Sequence, residues 1–277
     1  MELEFQIPNS KFIILFMPAV GRLRYLEAVP RGGVRGRGTL LLIHAFPVNA
    51  RMFEPQLALA DSGWRVIAPH LRRFDGAEAD PPAASLDDYA SDIIDLLDAL
   101  GVQEAVIGGV SMGGYIAFAL FRRAPRRIRA LVLADTKSDA DTPEAIEGRK
   151  RMLQLVREKG VGAVADDMIP KLLGDTTRAR RADTVDRVRA LVLSSSTEAI
   201  ADAIGALMTR PDSTPLLPSI HCPVLVAVGE EDTVTSRPAA EAMYRAIAGS
   251  ELVEIPAAGH LSNVEQPVAF NAALARF

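Results

Sequence analysis

Three residues of reactive type stand just beyond short apolar runs of this chain: Ser111, Asp232 and His260. Ser111 lies in Gly108-Gly109-Val110-Ser111-Met112-Gly113-Gly114, after the apolar residues 105–107 and before the apolar stretch 115–121. A buried strand, Gly-x-Ser-x-Gly and then a helix form the context that sets a serine on a sharp turn with its hydroxyl exposed. Gly109 and Gly113 suit that turn because a Cβ at either position would collide with the adjoining strand or helix. The helix N-terminus behind Ser111 aims backbone N–H groups at the point where negative charge would develop. A histidine to take the hydroxyl proton and a carboxylate to orient that histidine complete the chemistry of acyl transfer. A bare Gly-x-Ser-x-Gly also occurs in ordinary glycine-rich turns, so the weight falls on the strand–helix context.

The elements needed to position these residues follow from the hydrophobic pattern. Residues 12–20 and 23–28 read as two short strands around Gly21, and Arg31-Gly32-Gly33-Val34-Arg35-Gly36-Arg37-Gly38 reads as a loop. Residues 39–43 form a continuous apolar strand running into His44-Ala45-Phe46-Pro47, with Asn49 as the cap of a following helix. Residues 64–69 make the next strand, and 70–84 a loop. Ser85-Leu86-Asp87-Asp88 opens a helix closed by Gly101. The Ser111 strand and helix follow, and then a strand over 128–134 that delivers Asp135. Strands alternating with helices imply a mostly parallel sheet covered on both faces. From 137 to 213 the strands cease, and the spacing predicts helices over 143–159, 161–173, 178–193 and 197–209. A strand over 224–228, a helix over 238–248, a strand over 251–255 and a closing helix complete the chain. The sum is about eight strands, a core of residues 1–136 and 214–277, and a helical cap of residues 137–213 above Ser111.

Composition narrows the function classes. The 277 residues suit one large domain or a domain with an insertion, and a net charge of −4 gives no basic excess for nucleic acid. The Arg-rich spots at 122–127 and 178–181 read as solvated helix ends. Cys222 is the single cysteine, which excludes an intrachain disulfide framework. The apolar run 12–20 is too short to span a bilayer and follows an acidic start, so the expected location is the cytoplasm, away from a membrane. A homo-oligomer is compatible with this composition.

The order Ser111, Asp232, His260 is that of the α/β-hydrolases, and differs from that of the two familiar serine protease families. With His44-Ala45-Phe46-Pro47, Gly229-Glu230-Glu231-Asp232 and Gly259-His260 added, the chain resembles that superfamily over nearly its whole length. The stretch His260-Leu261-Ser262-Asn263-Val264-Glu265-Gln266-Pro267 is similar to the end of 3-oxoadipate enol-lactonases and related esterases. The chain departs from the pattern where the usual His-Gly-x-Pro is His44-Ala45-Phe46-Pro47. It departs again where Asp-x-Arg-Gly-x-Gly is His70-Leu71-Arg72-Arg73-Phe74-Asp75.

The resemblance implies an α/β-hydrolase fold and a serine hydrolase of small carboxylic esters or lactones. Ser111 would be the nucleophile, His260 the base, Asp232 the acid, and the amides of Phe46 and Met112 the oxyanion hole, with no cofactor or metal. Asp135 is a rival for the acid. His44, Met152 and Met208 are candidates for the substrate pocket, with Met168 beside them, though His44 also suits the ordering of the oxyanion loop. His70 and His221 have no partner at metal-ligand spacing. Perhydrolase or haloperoxidase-type activity, carbon–carbon bond hydrolysis and a ligand receptor that keeps the same residues are the competing readings.

Overall fold

Leu40 and Leu42 join one buried cluster, and Leu41 and Ile43 join the other. This period of two marks a strand covered on both faces. The same division separates Val132 from Leu131 and Leu133, and Leu225 and Ala227 from Val224, Val226 and Val228.

A computed structural model describes residues 3–5, 12–20, 22–30, 36–76 and 81–277. The first part of the glycine-rich loop, residues 31–35, lies outside the described residues, as do residues 77–80 of the loop expected over 70–84. Among the described residues nine strands form one sheet: β1 (Leu3–Phe5), β2 (Phe12–Val20), β3 (Leu23–Pro30), β4 (Gly38–Ile43), β5 (Trp64–Pro69), β6 (Ala105–Val110), β7 (Ile128–Ala134), β8 (Val224–Gly229) and β9 (Glu251–Ile255). Their spatial order is β1-β2-β3-β5-β4-β6-β7-β8-β9. From β5 to β9 every neighbour is parallel, and β1, β2 and β3 add an antiparallel edge. The strand beyond the eight expected is β1, whose three residues are too few to carry a periodic signal.

Helices cover both faces. Asn49 caps the 3₁₀ helix Ala50–Ser62 by accepting from the Arg51 amide at 3.1 Å, and Pro55 interrupts that helix's hydrogen-bond ladder. This helix packs on the Leu40 side of the sheet. On the Leu41 side lie α1 (Leu86–Ala99) and α2 (Met112–Arg123). Ser85 and Asp88 form the expected capping box of α1, each side chain accepting from the other's amide.

Between β7 and β8 the described chain contains no strand. Instead α3 (Pro143–Leu172), α4 (Asp175–Arg180), α5 (Ala182–Leu193) and α6 (Thr197–Met208) follow one another, with α3 packed against α5 and α6. Gly160 (φ 74°) breaks α3 where the spacing expects two helices to meet. The single helix expected over 178–193 is instead divided at Arg181, whose guanidinium reaches across to the Glu265 carbonyl. That long-range bond has no local signature. The chain returns through β8, α7 (Arg237–Ala246), β9, the short α8 (Ser262–Glu265) and α9 (Pro267–Arg276), the last packing on the Leu40 side. Among the described residues no single helix is long and apolar enough to cross a membrane.

The register brings the strand ends level. Ile43 lies beside Gly109, Val110 beside Ala134, and Gly229 beside Ile255, so reactive residues just past β6, β7 and β8 emerge on one rim. Close approach of α2 to β4 fixes the height of that rim. A Cβ on Gly113 would fall on the Ile43 carbonyl, and one on Gly109 would fall on the Gly113 backbone. Gly113→Ala is expected to destabilise the protein by about 2 kcal/mol or more, lowering Tm by about 4 °C or more in thermal unfolding. Gly162→Ala is the control: a Cβ there meets open space on α3, and the change should leave Tm equal or raise it.

Candidate active site

Ser111 caps α2 with φ 53° and ψ −114°, a left-handed conformation that a side chain rarely adopts. Neighbouring strand ends hold it there: its amide donates to the Ala134 carbonyl (2.9 Å), and its own carbonyl accepts from Thr136 Oγ1 (2.8 Å). The strained turn turns Oγ toward His260, whose Nε2 lies 2.7 Å away. His260 Nδ1 lies 2.9 Å from Asp232 Oδ2. Ser111, Asp232 and His260, drawn from three separate loops, therefore form one continuous hydrogen-bonded chain, and all three are buried.

Asp232 is held from every side. Oδ1 accepts from the amides of Val234 (2.8 Å) and Thr235 (3.0 Å), and Oδ2 accepts from Thr235 Oγ1 (2.7 Å) as well as from His260. Burial alone would raise its pKa, but the charge of His260 and the bonds from His260 and Thr235 outweigh it and hold the carboxyl down at about 2. The same pairing governs His260. Burial pulls its pKa down, yet the charge of Asp232 and their hydrogen bond prevail and leave it above the ordinary histidine value.

Asp135 also reaches this rim but does other work. Its carboxylate accepts from the Gly229 amide (2.9 Å), the Ser262 amide (3.0 Å) and Ser262 Oγ (2.6 Å), fastening the end of β8 to the start of α8. Burial and the nearby charge of Asp232 push its pKa up to about 7. Among the described residues it makes no hydrogen bond to His260.

His44 is fully buried. Nε2 accepts from the Leu71 amide (3.0 Å), which leaves Nδ1–H to donate to the Ala45 carbonyl (2.9 Å). Burial depresses its pKa to about 3, so the ring is neutral and ties the 44–47 loop to the loop after β5. His70, also buried, is lowered to about 4 by the same cause. The two departures from the family pattern now have physical accounts. Ala45 is not among the residues of positive φ, so a glycine is not required there. Arg73 does take φ 69°, and its side chain pairs with Asp202 on α6 at 2.6 Å.

A cavity of about 70 Å³ opens against this chain of residues, lined by Phe46, Ser111, Met112, Tyr115, Arg149, Met168, Leu207, Val234 and His260. Phe46 and Met112, the residues expected to supply the oxyanion hole, both line it. Among the described residues neither amide donates to a turn or cap acceptor. His44, Met152 and Met208 are not in the lining, which corrects the sequence expectation. Both ring nitrogens of His44 are engaged in the scaffold. On α6 the neighbouring Leu207 faces the cavity, and one residue further along a helix is a turn of about 100°. Met152, on α3, packs against the core beneath. Met168 does line the cavity. A larger cavity of about 610 Å³ lies at the opposite, N-terminal ends of the strands, with Arg37, Trp64 and Arg129 in its lining and no nucleophile–base pair.

Some of the residues that shape the site have no motif in the sequence. Thr235 is foreshadowed by the turn-forming Asp-x-x-Thr spacing. Glu265 is not: fully buried, it accepts from the amides of Gly259 (2.8 Å) and Leu261 (3.4 Å) on either side of His260, and from Gly174 (2.9 Å). Arg149 and Tyr115 reach the cavity from α3 and α2 without any local cue. Among the described residues no group of three or more His, Cys, Asp or Glu side chains is arranged to hold a metal ion.

Comparison with known proteins places the chain in context. A family model described as the alpha/beta hydrolase fold matches residues 38–267. A 3-oxoadipate enol-lactonase of Acinetobacter baylyi is 29% identical over 242 residues, covering 87% of this chain and 89% of that protein. Among solved structures, a thermophilic esterase from Thermogutta terrifontis superposes with a TM-score of 0.85 at 35% identity, over 100% of this chain and 97% of the esterase. The enol-lactonase of Burkholderia xenovorans LB400 gives 0.82 at 27% identity, over 92% and 95%.

The three described buried histidines should separate in a pH titration of their imidazole resonances. His260 is expected to titrate above about 6.5, the ordinary value, while His44 and His70 stay neutral down to well below it. Asp232→Asn should bring the His260 midpoint down, because the raising charge is gone. A His260 midpoint below the ordinary value in the wild type contradicts the pairing.

Proposed function

The chain belongs to the alpha/beta hydrolase fold family, and from that premise we propose that it is a serine hydrolase of small carboxylic esters or lactones. The observation that carries the proposal is the continuous path Ser111 Oγ–His260 Nε2 and His260 Nδ1–Asp232 Oδ2, at 2.7 and 2.9 Å, beside a cavity. Its relatives, an esterase and two enol-lactonases, support the same class of bond.

In this reading His260 Nε2 takes the Ser111 proton as Oγ attacks the acyl carbon. Asp232 keeps the proton on Nδ1, so Nε2 is the free base, and then stabilises the imidazolium. The amides of Phe46 and Met112 receive the oxyanion, each worth about two orders of magnitude or more in rate. The imidazolium returns its proton to the departing alkoxide, leaving an ester on Ser111. Water enters by the same route: His260 takes its proton as its oxygen attacks the acyl carbon, then returns that proton to Ser111 Oγ as the acyl–Oγ bond breaks and the carboxylic acid departs. For a lactone the alkoxide stays tethered and the product is a single hydroxy acid.

Residues 137–213 act as a cap on a core of residues 1–136 and 214–277. Arg149, Met168 and Leu207 bring the cap to the cavity wall. The cavity that Ser111 meets is small, about 70 Å³, which suits a short acyl group.

Ser111→Ala should lower turnover of p-nitrophenyl acetate by on the order of 10⁴-fold or more with the fold intact. Near wild-type turnover in that variant overturns the proposal. Asp232→Asn should lose far more activity than Asp135→Asn, since only the first carboxylate bonds to His260. In the wild type, kcat/KM should rise about tenfold per pH unit and level off above a midpoint higher than about 6.5, because His260 must lose its raised proton before it can accept another.

A further inference from the structure

Arg129 and Ala130 are neighbours in β7, yet both line the cavity at the N-terminal ends of the strands. In a regular strand, consecutive side chains face opposite sides of the sheet. Here Ala105 pairs with Ile128 and Val106 with Ala130, so β7 carries one residue more than β6 at this point. That bulge turns Arg129 to the face of Ala130 and Val132. The start of β4 makes room for it: Gly38 (φ 117°) has no side chain, and a Cβ there would stand 2.9 Å from Arg129 Nη1. Arg37 reaches the same rim, its guanidinium lying 4.9 Å over the ring of Trp64.

Backbone carbonyls, not carboxylates, hold both guanidiniums. Arg37 Nη1 donates to the Ala275 carbonyl (2.9 Å), and Arg129 Nη1 donates to the Arg37 carbonyl (2.7 Å). In each, Nε and Nη2 donate to no protein acceptor among the described residues. Those two nitrogens form the edge that takes a carboxylate side-on, as Arg72 does with Asp92 at 2.9 and 2.8 Å in this same fold. Asp61 and Glu104, exposed at this end of the sheet, pair with neither arginine. Both charges are therefore held in place without a counterion. Beneath them lies an apolar floor of Leu40, Val106, Ala130 and Val132. The cavity measures about 610 Å³, within the range of about 300–1,000 Å³ typical of small-molecule sites.

We propose that this cavity is a binding site for an amphipathic carboxylate, its apolar chain lying on the floor formed by β4, β6 and β7 and its head group meeting the free edges of Arg37 and Arg129. The site stands at the opposite end of the strands from Ser111 and owes nothing to the hydrolase reading. An apolar body alone would leave two guanidiniums without a partner, and a small anion alone would leave the floor uncovered. A ligand that carries both an apolar chain and an anionic head satisfies the two together.

Trp64 is the single tryptophan of the chain and lines this cavity, so its emission reports occupancy directly. Bromine quenches an indole only at close range, and the test titrates the wild type with ω-bromooctanoate and with ω-bromooctanol, a neutral probe of the same length. The acid should quench Trp64 saturably, with a midpoint about tenfold or more below that of the alcohol, and unbrominated octanoate should reverse the quenching. Equal midpoints, or quenching that never saturates, overturn the inference. Arg129→Met should raise the midpoint of the acid about fivefold or more and leave that of the alcohol in place. Arg129→Lys should raise it less, since the charge remains but the side-on edge is lost. An unchanged acid midpoint in folded Arg129→Met overturns the assignment of the head group. Octanoate that slows p-nitrophenyl acetate turnover, while ω-bromooctanoate leaves Trp64 undimmed, binds beside Ser111 alone, and that result also overturns the inference.

Discussion

The contact between Gly113 and the Ile43 carbonyl sets the terms for the rest of the site. Helix α2 follows Ser111 directly and must pass close beneath the end of β4 while β6 runs alongside it. No side chain fits between them, so the turn that joins β6 to α2 is compressed and Ser111 takes up a left-handed backbone conformation. Such a conformation persists only when its surroundings over-determine it. Here they do: the Ser111 amide and carbonyl are both bound by residues at the end of β7. The aim of Oγ is thus a product of sheet packing, which explains how it comes within hydrogen-bond distance of a ring brought from nearly the other end of the chain.

Two buried aspartates on adjacent strand ends show how environment divides labour between identical side chains. Asp232 faces an imidazole and is held as an anion. Asp135, a few bonds away through the sheet, accepts from a serine and two amides and is pushed the other way by burial and by Asp232 itself. One therefore suits a charge partner and the other a structural clasp. Depressed values at His44 and His70 complete the pattern, since both rings stay neutral while His260 alone is raised. Of the three buried imidazoles, only the one on the hydrogen-bonded path is favoured as a cation.

Much of this was legible in the chain because the signals are local. The continuous apolar run 39–43, the glycines around Ser111, the Ser85 capping box and the break at Gly160 each depend on a few neighbouring residues, and each appears in the structure as expected. The order of Ser111, Asp232 and His260 could be read because each follows its own strand. What escaped depends on contacts distant in sequence. The division at Arg181 follows from a bond to residue 265. The role of Glu265 follows from amides at 174, 259 and 261. Choosing Met208 over Leu207 required the rotational phase of α6 relative to the cavity, which the apolar pattern of an almost wholly apolar helix does not define. Arg149 reaches the cavity through contacts with Asp141, whose partner Arg210 is 69 residues away from it in sequence, and carries no local cue.

The two carboxylates Glu231 and Glu265 join the helical segment to the loops of the hydrogen-bonded path. Glu231, next to Asp232, accepts from the amide and hydroxyl of Thr176, and Glu265 accepts from Gly174 as well as from the amides flanking His260. Residues 174–176 are therefore part of the foundation of the site, although in sequence they belong to the helical segment between β7 and β8. The first half of α3, before Gly160, makes no such bonds. This unevenness governs how the protein can diverge. Insertions, deletions and swapped helices before residue 160 alter the shape of the chamber and leave the reactive loops where they are. The same changes at 174–176 would displace the Asp232 and His260 loops together. The segment thus offers lineages one stretch free to drift toward new substrates and another bound to the chemistry itself.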